Sequence, residues 1–215
     1  MIYTFGNSHS HLFTGSAPAT FGVGEIKNQH FTSVSLGPII AYNFYENHYN
    51  NLLNWVNNLN INKERDYIML IVGEVDCRVH LPHQINSQNR PIDEVVKECI
   101  DRFFRSYIDL KNKGYNVIGW GGHPSTTSGP SENPSEPIVG DCQYRNTISL
   151  MWDDYLQNLC VDNKIPYVTI IKDLIDENNL TNMDYFMDYC HLNHDKVKNI
   201  IKNKFNDIGI LVYGQ

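Results

Sequence analysis

The chain has 215 residues, of which 41% are hydrophobic and 19% charged, and its net charge is −7 at pH 7. This composition is typical of a globular protein, and we interpret residues 1–215 as a single domain. The acidic charge argues against a nucleic-acid partner, because binding to phosphates needs clustered lysine and arginine. No stretch approaches the roughly 20 apolar residues that span a bilayer, and no signal peptide is evident. We therefore expect a cytoplasmic protein that has no membrane partner.

The five cysteines are widely spaced, and none of them forms a C-x-x-C pair. An odd number without paired spacing is typical of an intracellular protein, in which thiols stay reduced. We therefore predict free thiols and no disulfide framework.

Strand and helix patterns alternate along the chain. Short apolar runs predict five β-strands, at residues 1–5, 31–36, 66–73, 116–121 and 166–170. Apolar residues at helical spacing predict helices within residues 42–59, 92–107, 148–159 and 197–205. Most of residues 9–24, and all of 80–90 and 122–141, are predicted to be loops. The alternation predicts an α/β fold, a three-layer α/β/α sandwich with a parallel five-stranded, flavodoxin-like sheet.

Polar or reactive residues follow the ends of the first four predicted strands. Ser8 follows the first strand, Gly37 the second, Asp76 and Arg78 the third, and His123 the fourth. Because the carboxyl ends of parallel strands meet at one edge of a sheet, we expect these residues to converge on one pocket.

Three residues are candidates for nucleophilic catalysis. Ser8 is the candidate nucleophile, and it needs a base that is oriented by an acid. Asp188 and His191 are three residues apart, so a turn can bring the carboxylate against the imidazole. His194 is a rival base and Asp184 a rival acid, but the Asp-x-x-His spacing favours the first pair.

This set of residues resembles the SGNH hydrolase family, also called GDSL-like esterases. Residues 6–8 (GNS) are similar to the first block of the family, with Asn7 where aspartate is usual. Gly37, within residues 36–38 (LGP), falls where the second block places its glycine, and residues 188–191 are similar to the fifth block. The resemblance covers nearly the whole chain in order and spacing.

The resemblance implies a mechanism through an acyl-enzyme. Ser8 would attack an ester carbonyl, His191 would act as general base and then as acid, and Asp188 would orient His191. The backbone N–H groups of Ser8 and Gly37 would bind the oxyanion. The fold implied by the resemblance agrees with the predicted three-layer sandwich.

The third block departs from the family pattern, which is Gly-x-Asn-Asp and supplies an asparagine as a third oxyanion donor. Residues 73–78 read GEVDCR, and Val75 has no donor. Arg78 is a candidate for the missing oxyanion donor, or it contacts an anionic or sugar-bearing substrate. A structural ion pair between Arg78 and Asp76 is as compatible with the sequence as a substrate contact. The GEVDCR block resembles an SGNH-like subgroup that is linked to polysaccharide biosynthesis.

We therefore expect a serine ester hydrolase or an O-acyltransferase that acts on a small ester or an O-acylated carbohydrate and needs no cofactor. Asn7, Asp76, Arg78 and His123 are the expected substrate contacts. The alternative is a non-catalytic glycan- or protein-binding module, which a Ser8 outside hydrogen-bond reach of the base would favour. A nucleotide-binding flavodoxin-like protein is a weaker alternative, because no glycine-rich phosphate loop follows the first strand.

Histidines near the nucleophile raise the question of a metal. His9, His11 and His80 follow no familiar zinc spacing, so we expect no metal site. The sequence leaves the oligomeric state open.

Overall fold

A six-stranded sheet forms the centre of the computed structural model, which describes residues 1–15, 24–126 and 138–213. The strands are β1 (Ile2–Gly6), β2 (Gly24–Lys27), β3 (Phe31–Ser35), β4 (Tyr67–Ile71), β5 (Asn116–Trp120) and β6 (Tyr167–Val168). Their order in the sheet is β2-β3-β1-β4-β5-β6. Five neighbouring strands of this sheet, β3, β1, β4, β5 and β6, pair in parallel. This confirms the predicted α/β fold with its five parallel strands.

Helices cover both faces of this sheet. The α-helices are α1 (Phe44–Asn47), α2 (Tyr49–Asn58), α3 (Leu81–Gln88), α4 (Ile92–Asn112), α5 (Cys142–Asp162), α6 (Ile171–Leu174) and α7 (His194–Asp207). Two 3₁₀-helices, Ser8–Phe13 and Met183–Tyr185, and one π-helix, Asp76–His80, complete the helical segments. None of the helices within the described ranges has the length and apolar character needed to cross a membrane.

Strand β4 separates the two apolar layers of the core. Ile68 and Leu70 face one layer, where helices α1 to α5 pack, while Met69 and Ile71 face the other, which contains α7 and the 3₁₀-helix after β1. Side chains of successive strand residues point to opposite faces, so a strand buried on both sides reads as a continuous apolar run. The three predicted layers are confirmed.

One strand was not predicted. The structure has one strand more than the five that the sequence predicts. The additional strand, β2, pairs antiparallel with β3 and begins at the end of the predicted loop over residues 9–24. Three of its four residues, 25–27, are exposed. An edge strand of this kind buries no apolar run, so it carries no pattern that distinguishes it from a loop.

The predicted loop at residues 80–90 is wrong, because the structure has the end of the π-helix and helix α3 there. Leu81 and Pro82 are buried, and Ile85 packs against the core from the same face. Asn89, in a left-handed conformation with φ of 49°, ends the helix. Ile85 comes four positions after Leu81, which is helical spacing, but polar residues surround this pair and mask the pattern. Of the predicted loop at 122–141, residues 127–137 lie outside the described residues.

All five cysteines are buried as free thiols, as the sequence predicts. Burial raises the pKa of Cys77 and of Cys99 well above the usual range of a thiol. These two side chains therefore stay protonated at neutral pH and act as small apolar groups.

Candidate active site

The chain turns directly from strand β1 into the 3₁₀-helix that begins with Ser8. A side chain at Gly6 would collide with the carbonyl oxygen of Ile71, so only glycine allows β1 and β4 to approach here. Asn7 caps the helix, because its Oδ1 accepts the His9 N–H at 3.1 Å. The turn therefore places the Ser8 hydroxyl at the carboxyl edge of the sheet.

Ser8, His191 and Asp188 form a continuous hydrogen-bonded chain. The Ser8 Oγ lies 2.7 Å from His191 Nε2, and His191 Nδ1 lies 2.7 Å from Asp188 Oδ2. The other carboxylate oxygen, Oδ1, accepts the backbone N–H groups of Cys190 at 2.8 Å and of His191 at 2.7 Å. With its proton on Nδ1, a neutral His191 donates to Asp188 and accepts the Ser8 hydroxyl at Nε2.

The surroundings keep the His191 imidazole neutral and the Asp188 carboxyl ionised. Burial lowers the pKa of His191, and His9 lowers it further, against the opposing effect of Asp188. Burial alone would raise the pKa of Asp188, but the N–H groups of Cys190 and His191 and the imidazole lower it overall. A neutral imidazole beside a serine hydroxyl can accept its proton, and the carboxylate can stabilise the resulting imidazolium.

Gly37 lies on the neighbouring strand end, beside the Ser8 turn. The Leu36 N–H donates to the Gly6 carbonyl at 2.8 Å, which holds the two strand ends together. Gly37 has φ of 89°, a conformation that favours glycine. Its N–H lies 3.4 Å from Ser35 Oγ.

The structure corrects the expected role of Asp76. This side chain is fully buried, and its carboxylate accepts the backbone N–H of Ala41 at 2.7 Å and of Tyr42 at 3.3 Å. These contacts anchor the segment that follows Gly37. Asp76 is therefore a structural support for the second block, whereas the sequence suggested a substrate contact.

Arg78 pairs with another side chain of the protein, and its contact with substrate stays a prediction. Its guanidinium is buried, and Nε donates to Glu74 Oε1 at 2.5 Å. Glu74, one helical turn away, is therefore a partner of Arg78, whereas the sequence suggested Asp76. Glu74 in turn accepts the His9 Nε2–H at 3.1 Å. Sequence reasoning missed Glu74, although its i,i+4 spacing to Arg78 is a recognisable signal.

Of the other two expected substrate contacts, His123 lines the cavity at Ser8 and Asn7 does not. His123 is 7% exposed and lines the cavity at Ser8, where its ring packs edge-on against His9 with centroids 4.7 Å apart. Burial, and then His9, lower the pKa of His123 to about 3, so this ring is neutral. Asn7 is buried and uses its Oδ1 for the helix cap, and it is absent from the lining of this cavity.

The rival base and acid have other contacts. His194 Nδ1 donates to the Leu12 carbonyl at 2.6 Å, although the ring also borders the cavity. Asp184 is exposed at the start of the 3₁₀-helix 183–185, where its N–H is bonded to Asn182.

Comparisons with known proteins give matches among solved structures, while no family model and no curated protein sequence matches the chain. A GDSL-like lipase from Bacteroides thetaiotaomicron is similar with a TM-score of 0.58 and 14% identity, over 97% of this chain and 88% of that one. An acetylxylan esterase from Geobacillus stearothermophilus has a TM-score of 0.53 and 11% identity, over 100% and 96%. A carbohydrate acetylesterase from Sinorhizobium meliloti has a TM-score of 0.52 and 10% identity, over 97% of each chain. The protein has the fold of the SGNH hydrolase superfamily.

Within this SGNH fold, a cavity of about 240 Å³ opens at the nucleophile. We call it the Ser8 cavity, and it is lined by Ser8, His9, His11, Leu12, Gly15, His123, Met187, His191, Leu192, Asn193, His194 and Asp195. The serine hydroxyl and the imidazole of the base therefore face the same space. Met187, which is 50% exposed, provides an apolar side chain at the cavity.

Three side chains at or beside the Ser8 cavity lie close enough to hold a metal ion. The ligand atoms of His9, Cys190 and His191 lie within 4.8 Å of one another. His9 Nε2 and both nitrogens of His191 already take part in hydrogen bonds to Glu74, Ser8 and Asp188. A metal on His191 Nε2 would displace the serine hydroxyl.

Proposed function

We propose that this protein is a serine ester hydrolase that works through an acyl-enzyme at Ser8. The observation that carries the proposal is the Ser8–His191–Asp188 chain, in which both hydrogen bonds are 2.7 Å long. A candidate base must lie within hydrogen-bond reach of the proton that it takes, and His191 does. The same distance favours an enzyme over a non-catalytic binding module on this scaffold.

The proposed reaction has two steps. The Ser8 Oγ attacks the ester carbonyl while His191 Nε2 takes its proton, and the N–H groups of Ser8 and Gly37 stabilise the oxyanion. His191 then donates this proton to the leaving alcohol, which leaves an acyl group on Ser8. Attack of water, activated by His191, releases the acid and restores the serine.

We further propose a short acyl group, such as acetyl, carried by a small molecule or a carbohydrate. The Ser8 cavity of about 240 Å³ is smaller than the roughly 300–1,000 Å³ of common ligand sites. Two structural neighbours are a carbohydrate acetylesterase and an acetylxylan esterase. O-acyl transfer to a sugar hydroxyl shares every residue up to the acyl-enzyme and differs only in the second nucleophile.

The test combines turnover with covalent labelling. p-Nitrophenyl acetate should be hydrolysed, and a serine-directed phosphonate should label Ser8, as identified by peptide mass spectrometry. Ser8→Ala should abolish labelling and lower kcat by about 10⁴–10⁶-fold. Ser87→Ala, at an exposed position of α3, is the matched control and should behave as the wild type.

Folded wild-type protein without turnover and without labelling would refute the proposal. Adding a sugar acceptor distinguishes hydrolysis from transfer, because a transferase would form the acetylated sugar faster than free acetate.

A further inference from the structure

A buried chain of charged and polar groups lies behind the catalytic base. Arg78 Nε donates to Glu74 Oε1 at 2.5 Å, and Glu74 Oε2 accepts His9 Nε2–H at 3.1 Å. The side chains of Arg78, Glu74 and His9 are 3%, 5% and 5% exposed. The chain connects the third block to the residue that directly follows the nucleophile.

The chain ends against the ring of His191. The imidazoles of His9 and His191 lie with centroids 4.7 Å apart and planes tilted by 32°. On another side, His123 packs edge-on against His9, also at 4.7 Å. His9 is therefore enclosed by two rings and held at one nitrogen.

Stability alone is a weak reason for such a chain. Removing ionised groups from water costs free energy, and apolar residues of similar size often stabilise a core as well as a buried ion pair does. Burial would raise the pKa of Glu74, but Arg78 and then His9 lower it far below its usual range. Glu74 is thus a permanent acceptor that fixes the orientation of His9.

We propose that His9 is a positioning residue for His191, clamped by Glu74 and Arg78 so that its ring holds the imidazole in line with Ser8. The inference rests on the proposed esterase function. Asp188 holds His191 through one hydrogen bond at Nδ1, about which the imidazole can still tilt. Packing of the His9 ring against the imidazole would restrain this tilt. Small misplacements of a reacting group can cost about 10²-fold in rate, so a second restraint has a measurable effect.

The charges around His191 provide a readout that separates positioning from simple packing. Among the described residues, the ionisable groups that face it include Asp188 and Cys190 on its own loop, His9 after β1, Glu74 after β4 and His123 after β5. His9 lowers the pKa of His191, whereas Asp188 and Glu74 raise it. Loss of the His9 imidazole should therefore raise the pKa of His191.

The main variant is His9→Phe, which keeps a ring but removes the hydrogen bond to Glu74. We expect kcat for p-nitrophenyl acetate to fall about 10–100-fold with little change in KM, because the base loses its alignment. The acid limb of the kcat profile should move to higher pH. NMR titration of the His191 ring should show the same upward pKa shift. His48→Phe, on a half-buried histidine before α2, is the matched control and should change neither quantity.

The NMR readout does not depend on turnover, so the two proposals fail separately. An inactive, unlabelled wild type refutes the esterase function. An active wild type whose His9→Phe variant keeps the His191 pKa and the wild-type kcat refutes the positioning role. If His9→Phe does not fold, His9→Gln retains an N–H donor for Glu74 without the ring, and the same criteria apply to it.

Discussion

Two carboxylate–imidazole pairs meet at the Ser8 cavity, and they differ in exposure. In the outer pair, Asp188 and His191 are 2.7 Å apart with side chains 38% and 17% exposed. In the inner pair, Glu74 and His9 are 3.1 Å apart, and each side chain is 5% exposed. The same two chemical groups thus occur once at the surface of the site and once inside the protein.

The difference in surroundings suggests a different task for each pair. The inner carboxylate is held by Arg78, so its charge is fixed and no proton needs to move through it. The outer pair borders the cavity and contacts the Ser8 hydroxyl, where a substrate can reach it. We therefore propose that the outer pair transfers protons and that the inner pair supports it, and equivalent substitutions in the two pairs test this division.

The largest effect on turnover is expected from Asp188→Asn in the outer pair. An amide cannot hold His191 in the tautomer that accepts the serine proton, so kcat should fall about 10³–10⁴-fold. The free energy of unfolding should change by less than about 1 kcal/mol, because the pair is partly exposed. Steady-state kinetics and urea denaturation measure the two quantities. A loss of less than tenfold in kcat would show that Asp188 does not orient the base.

Glu74→Gln in the inner pair should reverse this pattern. Removing the carboxylate leaves Arg78 charged and buried, which should cost about 3–5 kcal/mol in the free energy of unfolding. The loss of kcat in the folded fraction should be smaller than for Asp188→Asn. Glu98→Gln is the control, because its pair with Arg90 is 38% and 33% exposed and should cost less than about 1 kcal/mol. Equal costs for the two glutamine variants would contradict a supporting role for the inner pair.

The outer pair was predictable from sequence, and the inner pair was not. Asp188 and His191 are three residues apart, and Ser8 follows an apolar strand. These local patterns were enough to identify all three as candidates for nucleophilic catalysis. Glu74 and His9 are 65 positions apart and meet only because β1 and β4 are neighbours in the sheet. The family pattern of the third block concerns the oxyanion donor, which is replaced here by Val75. It gives no role to the neighbouring Glu74, whose carboxylate contacts His9.

The fold shows the same limit. Strand β4 is buried on both faces and helix α4 on one, so a continuous apolar run identifies the strand and helical spacing identifies the helix. Strand β2 and helix α3 bury few apolar residues, and their placement depends on contacts with β3 and the core. Asp76 is a comparable case within the site, since only the folded chain reveals that its carboxylate holds the backbone at residues 41 and 42.

The smallest effect is expected where the inner pair touches His123. The pKa of this ring is lowered to about 3 by burial and by His9, whereas the pKa of an unfolded histidine is about 6.5. Between these values the unfolded chain binds more protons, so stability is lost as the pH falls from about 6.5 towards 3. His123→Phe keeps the ring and removes this proton, so the slope of unfolding free energy against pH should fall by up to about 1.4 kcal/mol per pH unit. Urea unfolding at pH 7, 6 and 5 measures the slope. An unchanged slope would mean that His123 takes up a proton in the folded protein as readily as in the unfolded chain.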